Sequence, residues 1–194
     1  MDTLKSIQNT LVDERPRSFE DCVVWARLKY EDLFVNQIQQ LLHNFPEDQI
    51  TSSGTKFWSG SKRCPKPLSF DINEKCEDAE MRNHFDFVVA AANLRASMYG
   101  IKGRTDEEYF VNFLKDVIVP DFSPKDGVKI AANDAEAEKQ NDGPEDVDAE
   151  ADAIINSLPK PSELAGFKLS PIEFDKDIDD HMRFVTACSN LRAM

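Results

Sequence analysis

The sequence predicts a mainly α fold: an irregular helical domain with a few short strands and one acidic mobile insert. Three observations carry this. Apolar residues recur every three or four positions through several long stretches. Helix start and stop signals bracket those stretches, with Ser18/Asp21 and Thr105/Glu108 as capping pairs and Pro46 and Gly100 as terminators. Only 7 of 194 residues are glycine, about half the usual share of roughly 7%, which disfavours barrels and phosphate loops.

Leu4, Ile7 and Leu11 predict a short opening helix, broken at Arg15-Pro16. From Ser18 a long helix carries Phe19, Cys22, Ala26, Tyr30, Leu33, Ile38, Leu41 and Phe45, with a bend expected near Val35-Asn36. Residues 46–67 read as an irregular loop, and Leu68–Ile72 as a short strand. A helix from about Met81 to Met98 follows and stops at Gly100. The next, started by Thr105, carries Tyr109, Phe110, Phe113, Leu114 and Val117 and ends before Pro120. Residues 133–152 hold nine acids against one lysine, which predicts a solvated, mobile insert, with an acidic docking strip as the sharper alternative. Ile154, Ile155 and Leu158 suggest a short helix, broken at Pro159 and Pro161, and 166–174 reads as extended.

Composition limits function. Thirty-six acids against 23 basic residues leave a net charge of −13. Such a surface repels phosphate backbones and anionic lipid heads, so neither nucleic acid nor membrane is an expected partner. The longest apolar run is Phe87–Ala92, far short of the ~20 residues a membrane helix needs. Cys22, Cys64, Cys76 and Cys188 are widely spaced and lack a C-x-x-C, the pattern of reduced cytosolic thiols.

The chain contains an internal echo. HFDFVVAAANLRA (84–96) and HMRFVTACSNLRA (181–193) agree at eight of thirteen positions, and each follows a Pro-x-x-Phe-Asp, at 67–71 and 171–175. On a wheel of about 100° per residue, six of the eight identities share one face. That predicts Phe87, Leu94, Phe184 and Leu191 in the core and Arg95 and Arg192 at its edge. Asn93 and Asn190 fall outside the face, so a specific hydrogen bond is expected there. The second copy stops in mid-pattern at Met194, as expected of a chain cut from a longer protein.

Catalytic signals are sparse. There is no GxGxxG, GxxxxGK[ST] or HExxH, and His43, His84 and His181 lack metal-ligand spacing. Asp179-Asp180 reads as a helix cap. Among the thiols, Cys64 has neighbours that favour a thiolate, namely Lys62, Arg63 and Lys66, but no oriented base is visible beside it. Phe57 and Trp58 read as anchors that hold their loop on the helices. A partner-facing loop of Phe57, Trp58, Lys62 and Arg63 is the sharper alternative. No catalytic, cofactor-binding or metal-binding residue is assigned.

Longer blocks resemble a known family. QLLHNFPEDQITSSGTKFWSGSKRCPKPLSFD (39–71), HFDFVVAAANLRASMYGI (84–101), VPDFSPKDGVKI (119–130), LAGFKLSPIEFDKD (164–177) and HMRFVTACSNLRA (181–193) are similar, in order, to the ubiquitin-activating enzyme, E1. The resemblance places 1–194 in the second catalytic-cysteine half-domain of E1, with 175–194 beginning the return toward the adenylation domain. It implies an enzyme that uses ATP and magnesium, in adenylation domains outside this chain, to activate ubiquitin and pass it as a thioester to an E2. It further implies ubiquitin, E2 enzymes and the adenylation domain as partners, in cytoplasm and nucleus. The family carries its nucleophile in a Pro-x-Cys-Thr-Leu context, whereas the contexts here are DCVV, RCPK, KCED and ACSN. No cysteine of this chain inherits that role. The alternative is a stand-alone acidic helical interaction module without catalysis.

Overall fold

The computed structural model describes residues 2–72, 79–131, 147–160, 162–164 and 169–194. The described residues form α1 (Asp2–Gln8), a π turn (Asn9–Asp13), α2 (Phe19–Glu31), a second π turn (Asp32–Asn36), α3 (Gln37–Asn44), α4 (Ala79–Met98), α5 (Glu107–Lys115), α6 (Val147–Ser157) and α7 (Asp179–Ala193).

Local chemistry sets most of the boundaries. Ser18 caps α2: its hydroxyl accepts from Asp21 N–H, while the Asp21 carboxylate accepts from Ser18 N–H at 3.0 Å, a reciprocal capping box. The bend expected near Val35-Asn36 is a π turn over Asp32–Asn36, where the Gln37 N–H reaches Asp32 O instead of the usual carbonyl four residues back. That extra residue keeps Phe34 and Val35 buried while the helix continues to Asn44. After α4, Gly100 adopts φ 68°, a conformation that glycine takes without a side-chain penalty.

Four expectations are corrected. Leu68–Ile72 is not a strand; among the described residues the one β contact is an isolated bridge between Ile50 and Lys56. Leu68, Phe70 and Ile72 do alternate inward, but they lie against helices, and Leu68 N–H bonds Phe34 O at 3.1 Å. The cap of α5 is Asp106 rather than Thr105: its carboxylate accepts from Glu108 and Tyr109 N–H. That helix ends at Lys115, leaving Val117 outside it. Asp179 and Asp180 lie inside the first turn of α7, where negative charge suits the helix dipole, while the capping position is Ile178. Of the acidic stretch, residues 147–152 belong to α6; 132–146 lie outside the described residues.

α4 is the axis of the core. α2 and α7 flank it, and α5 packs on α2. Tyr30 lies among Phe34, Phe70, His84 and Phe87, with ring centroids 4.8–5.8 Å away. Phe110 meets Phe19 and Phe85 edge-on. With neighbours on several sides, α4 has no single apolar face. Phe85, Val89 and Ala92, which differ between the two copies and fall off the shared wheel face, are buried, whereas Leu94, expected in the core, is only half-buried. A one-stripe wheel describes a surface helix, and α4 is not one.

The echo is a repeated structural unit. Asp71 N–H donates to His84 Nδ1 at 3.4 Å, and Asp175 N–H donates to His181 Nδ1 at 2.9 Å. Phe70 stacks on His84 and Phe174 on His181, at 6.2 and 6.1 Å. The two helices then pack on each other, with the equivalent Phe87 and Phe184 rings 5.5 Å apart. Asp86 and its counterpart Arg183, which differ between the copies, face each other at 3.6 Å. The substitution turns a like-with-like meeting into an ion pair.

Candidate functional site

The loop after α3 is tied down by its own residues. Phe45 and Phe57 stack at 4.7 Å with planes 7° apart, and Trp58 packs edge-on against Phe57. Trp58 Nε1–H lies within hydrogen-bonding distance of the carbonyls of Phe45 and Pro46, at 3.0 and 3.1 Å. The Ile50/Lys56 bridge and a Thr51–Ser53–Thr55 hydroxyl cluster close the tip. Lys62 places its ammonium 4.6 Å from the Phe57 ring centroid. Phe57 and Trp58 therefore anchor the loop, each half-buried, while Lys62 and Arg63 are exposed. The four candidate residues thus sit on one short loop, with Lys62 seated on one of its two rings.

The described thiols are all raised above the ordinary cysteine value. Burial pushes Cys22 up to about 11 and raises Cys188 as well. Cys64 departs from its expectation: its thiol is raised, through desolvation and the Glu47 carboxylate, with Lys66 opposing. Its basic sequence neighbours therefore do not make it a thiolate. Cys76 lies outside the described residues. Among the described residues no group of three His, Cys, Asp or Glu is placed to hold a metal ion, and no helix is long and apolar enough to cross a membrane.

Two polar clusters that the sequence did not single out as a set hold the C-terminal end of α4. Arg95, expected at the core edge, is buried, with its guanidinium 4.1 Å from the Trp25 ring centroid. It donates to the Glu14 carbonyl and pairs with the Glu14 carboxylate at 3.5 Å, while Trp25 Nε1–H donates to the same carboxylate at 2.9 Å. Tyr99 OH donates to Thr10 O at 2.8 Å. Together these clamp the first turn-and-helix segment onto α2 and α4. Its counterpart Arg192 is exposed, lying 5.7 Å from the Phe34 ring centroid. Asn93 makes the expected specific bond: its amide donates to Arg104 O at 2.8 Å and accepts from Arg104 N–H at 2.9 Å, closing the loop between α4 and α5.

The sequence model of the family described as "Ubiquitin-activating enzyme, SCCH domain" matches residues 1–194. The chain belongs to this family. "Ubiquitin-activating enzyme E1 1" of Schizosaccharomyces pombe is 49% identical to it over 195 residues. "Ubiquitin-like modifier-activating enzyme 1" of Homo sapiens is 46% identical over 195 residues, and "Ubiquitin-activating enzyme E1 1" of Triticum aestivum is 36% identical over 200. All or nearly all of the chain aligns in each case, but it spans only 18% of each relative's length. The resemblance drawn from the five blocks is thus the family, and a stand-alone interaction module is not favoured.

The described residues offer no acidic group placed to hold magnesium, and the sequence carries no glycine-rich phosphate loop, so these residues do not fit ATP and magnesium.

Proposed function

We propose that this chain is the helical scaffold that supports and positions the thioester-forming cysteine of a ubiquitin-activating enzyme, between the adenylation site and an E2. The observation that carries this reading is the family match over residues 1–194. The raised thiols of Cys22, Cys64 and Cys188 support this reading, in which the nucleophile lies outside these 194 residues. ATP and magnesium act in the adenylation domains, and ubiquitin, the E2 and the adenylation domain are the partners. Residues 175–194 begin the return toward that domain, and the enzyme works in cytoplasm and nucleus.

A scaffold acts after adenylation. Phe87→Ala in the full-length enzyme opens the α4/α7 contact without touching adenylation residues. ATP–pyrophosphate exchange stimulated by ubiquitin should survive, while thioester formation and E2 transfer fall. An equal loss of both activities contradicts the scaffold reading.

A further inference from the structure

The two copies of the repeated unit are covered unequally. In the first, α2 lies over the unit. Tyr30 fits among Phe70, His84 and Phe87, and the Arg27 guanidinium lies 3.9 Å from the Phe70 ring centroid. Phe85 and Val88 are 7% and 0% exposed. In the second copy the equivalent positions are open: Phe174 is 63% exposed, Met182 41% and Val185 45%. Ile172 and Ile178, close by in sequence, are exposed as well, at 42% and 45%. Among the described residues no third ring joins Phe174 and His181, and no cation covers Phe174.

Charge specifies what fits. Phe174 is flanked in sequence by Glu173, Asp175, Asp177 and Asp179, all exposed, with one lysine, Lys176, already paired to Asp177 at 2.6 Å. This rim favours a basic group above the ring, where Arg27 sits in the first copy.

We propose that the open face of α7 and its Pro171–Asp175 turn docks an amphipathic helix of the same polypeptide, bearing a basic residue about three positions from an aromatic ring, as Arg27 and Tyr30 are in α2. The relatives supply a source, since about four fifths of each lies outside the matching segment. The occupant fills the Tyr30-equivalent space beside Phe174 and His181 and covers Met182 and Val185. This rests on the reading that the chain works inside a full-length enzyme.

The test places the photo-crosslinking residue p-benzoylphenylalanine at Met182 of that enzyme and, in a second variant, at Val185. Cross-linked tryptic peptides are identified by mass spectrometry, and ubiquitin thioester formation is measured in the same samples. The expected product is an intrachain cross-link to a segment outside these 194 residues with Arg or Lys three or four positions from Phe, Tyr or Trp. Phe174→Ala should lower its yield at least fivefold. Absence of a cross-link from both positions, capture of a separate protein only, or a segment lacking that pattern overturns the proposal. Cross-linking as expected without any thioester would instead count against the proposed function and leave this docking intact.

Discussion

Gly103 and Asn93 form a pair whose coupling can be measured. A Cβ on Gly103 would overlap Asn93 Oδ1, with Cγ at 3.2 Å. That oxygen is pinned by Arg104 N–H, and the adjoining amide by Arg104 O, so the side chain cannot swing aside and keep both bonds. Gly103→Ala should therefore break the same two bonds that Asn93→Ala removes. Each bond is worth about 0.5–1.5 kcal/mol net, so either single change should cost about 1–3 kcal/mol. The bonds can be lost only once. The double variant should cost about as much as the worse single one, a coupling of roughly 1–2 kcal/mol in a double-mutant cycle. Urea unfolding followed by far-UV circular dichroism, with unchanged m-values, gives the four free energies. Additive losses, or a harmless Gly103→Ala, would refute the argument. Asn190→Ala is the control within the echo: it removes one exposed bond, 3.0 Å to Asn83, and should cost under about 0.5 kcal/mol.

Phe87→Ala should cost about 3–5 kcal/mol because the ring is 1% exposed, and Phe184→Ala less because its ring is only partly buried; denaturant midpoints separate them. Burial raises the Asp86 and Asp180 carboxyls, so the folded state holds these protons more tightly than the unfolded chain. Their contribution to stability is full below the unfolded value near 3.8 and is lost as pH rises through the folded value. Asp86→Asn should thus gain stability relative to the parent as pH rises above the unfolded value near 3.8, in unfolding titrations at each pH. Trp58→Phe keeps the packing on Phe57 but removes the indole donor to Phe45 and Pro46 O, and should cost about 0.5–1.5 kcal/mol in the same assay.

Much of the fold was legible because local chemistry decided it. The Ser18/Asp21 box, the stop at Gly100 and the break after α6 are short-range signals, and each stands in the structure. The misreadings came from tertiary context. Leu68, Phe70 and Ile72 carry a strand's alternation, yet they meet helix sides and no partner strand. Cys64 has basic neighbours in sequence, but the carboxylate that opposes them, Glu47, comes from seventeen residues away. The wheel for α4 assumed an outer face, which the surrounding helices remove. The equivalence of the echoed histidines could be suspected from Pro-x-x-Phe-Asp, but the Asp N–H to His Nδ1 bond needed coordinates.

The central claim is that this chain supports a nucleophile it does not contain. In the full-length enzyme, Cys22→Ala, Cys64→Ser, Cys76→Ser and Cys188→Ala are combined, and the ATP-dependent, thiol-reducible ubiquitin adduct is measured, with its site located by mass spectrometry. The account predicts that the adduct still forms, on a cysteine outside these 194 residues. Loss of the adduct in a variant whose ATP–pyrophosphate exchange and thermal melt are unchanged, or its location in the parent on any of these four thiols, would contradict it.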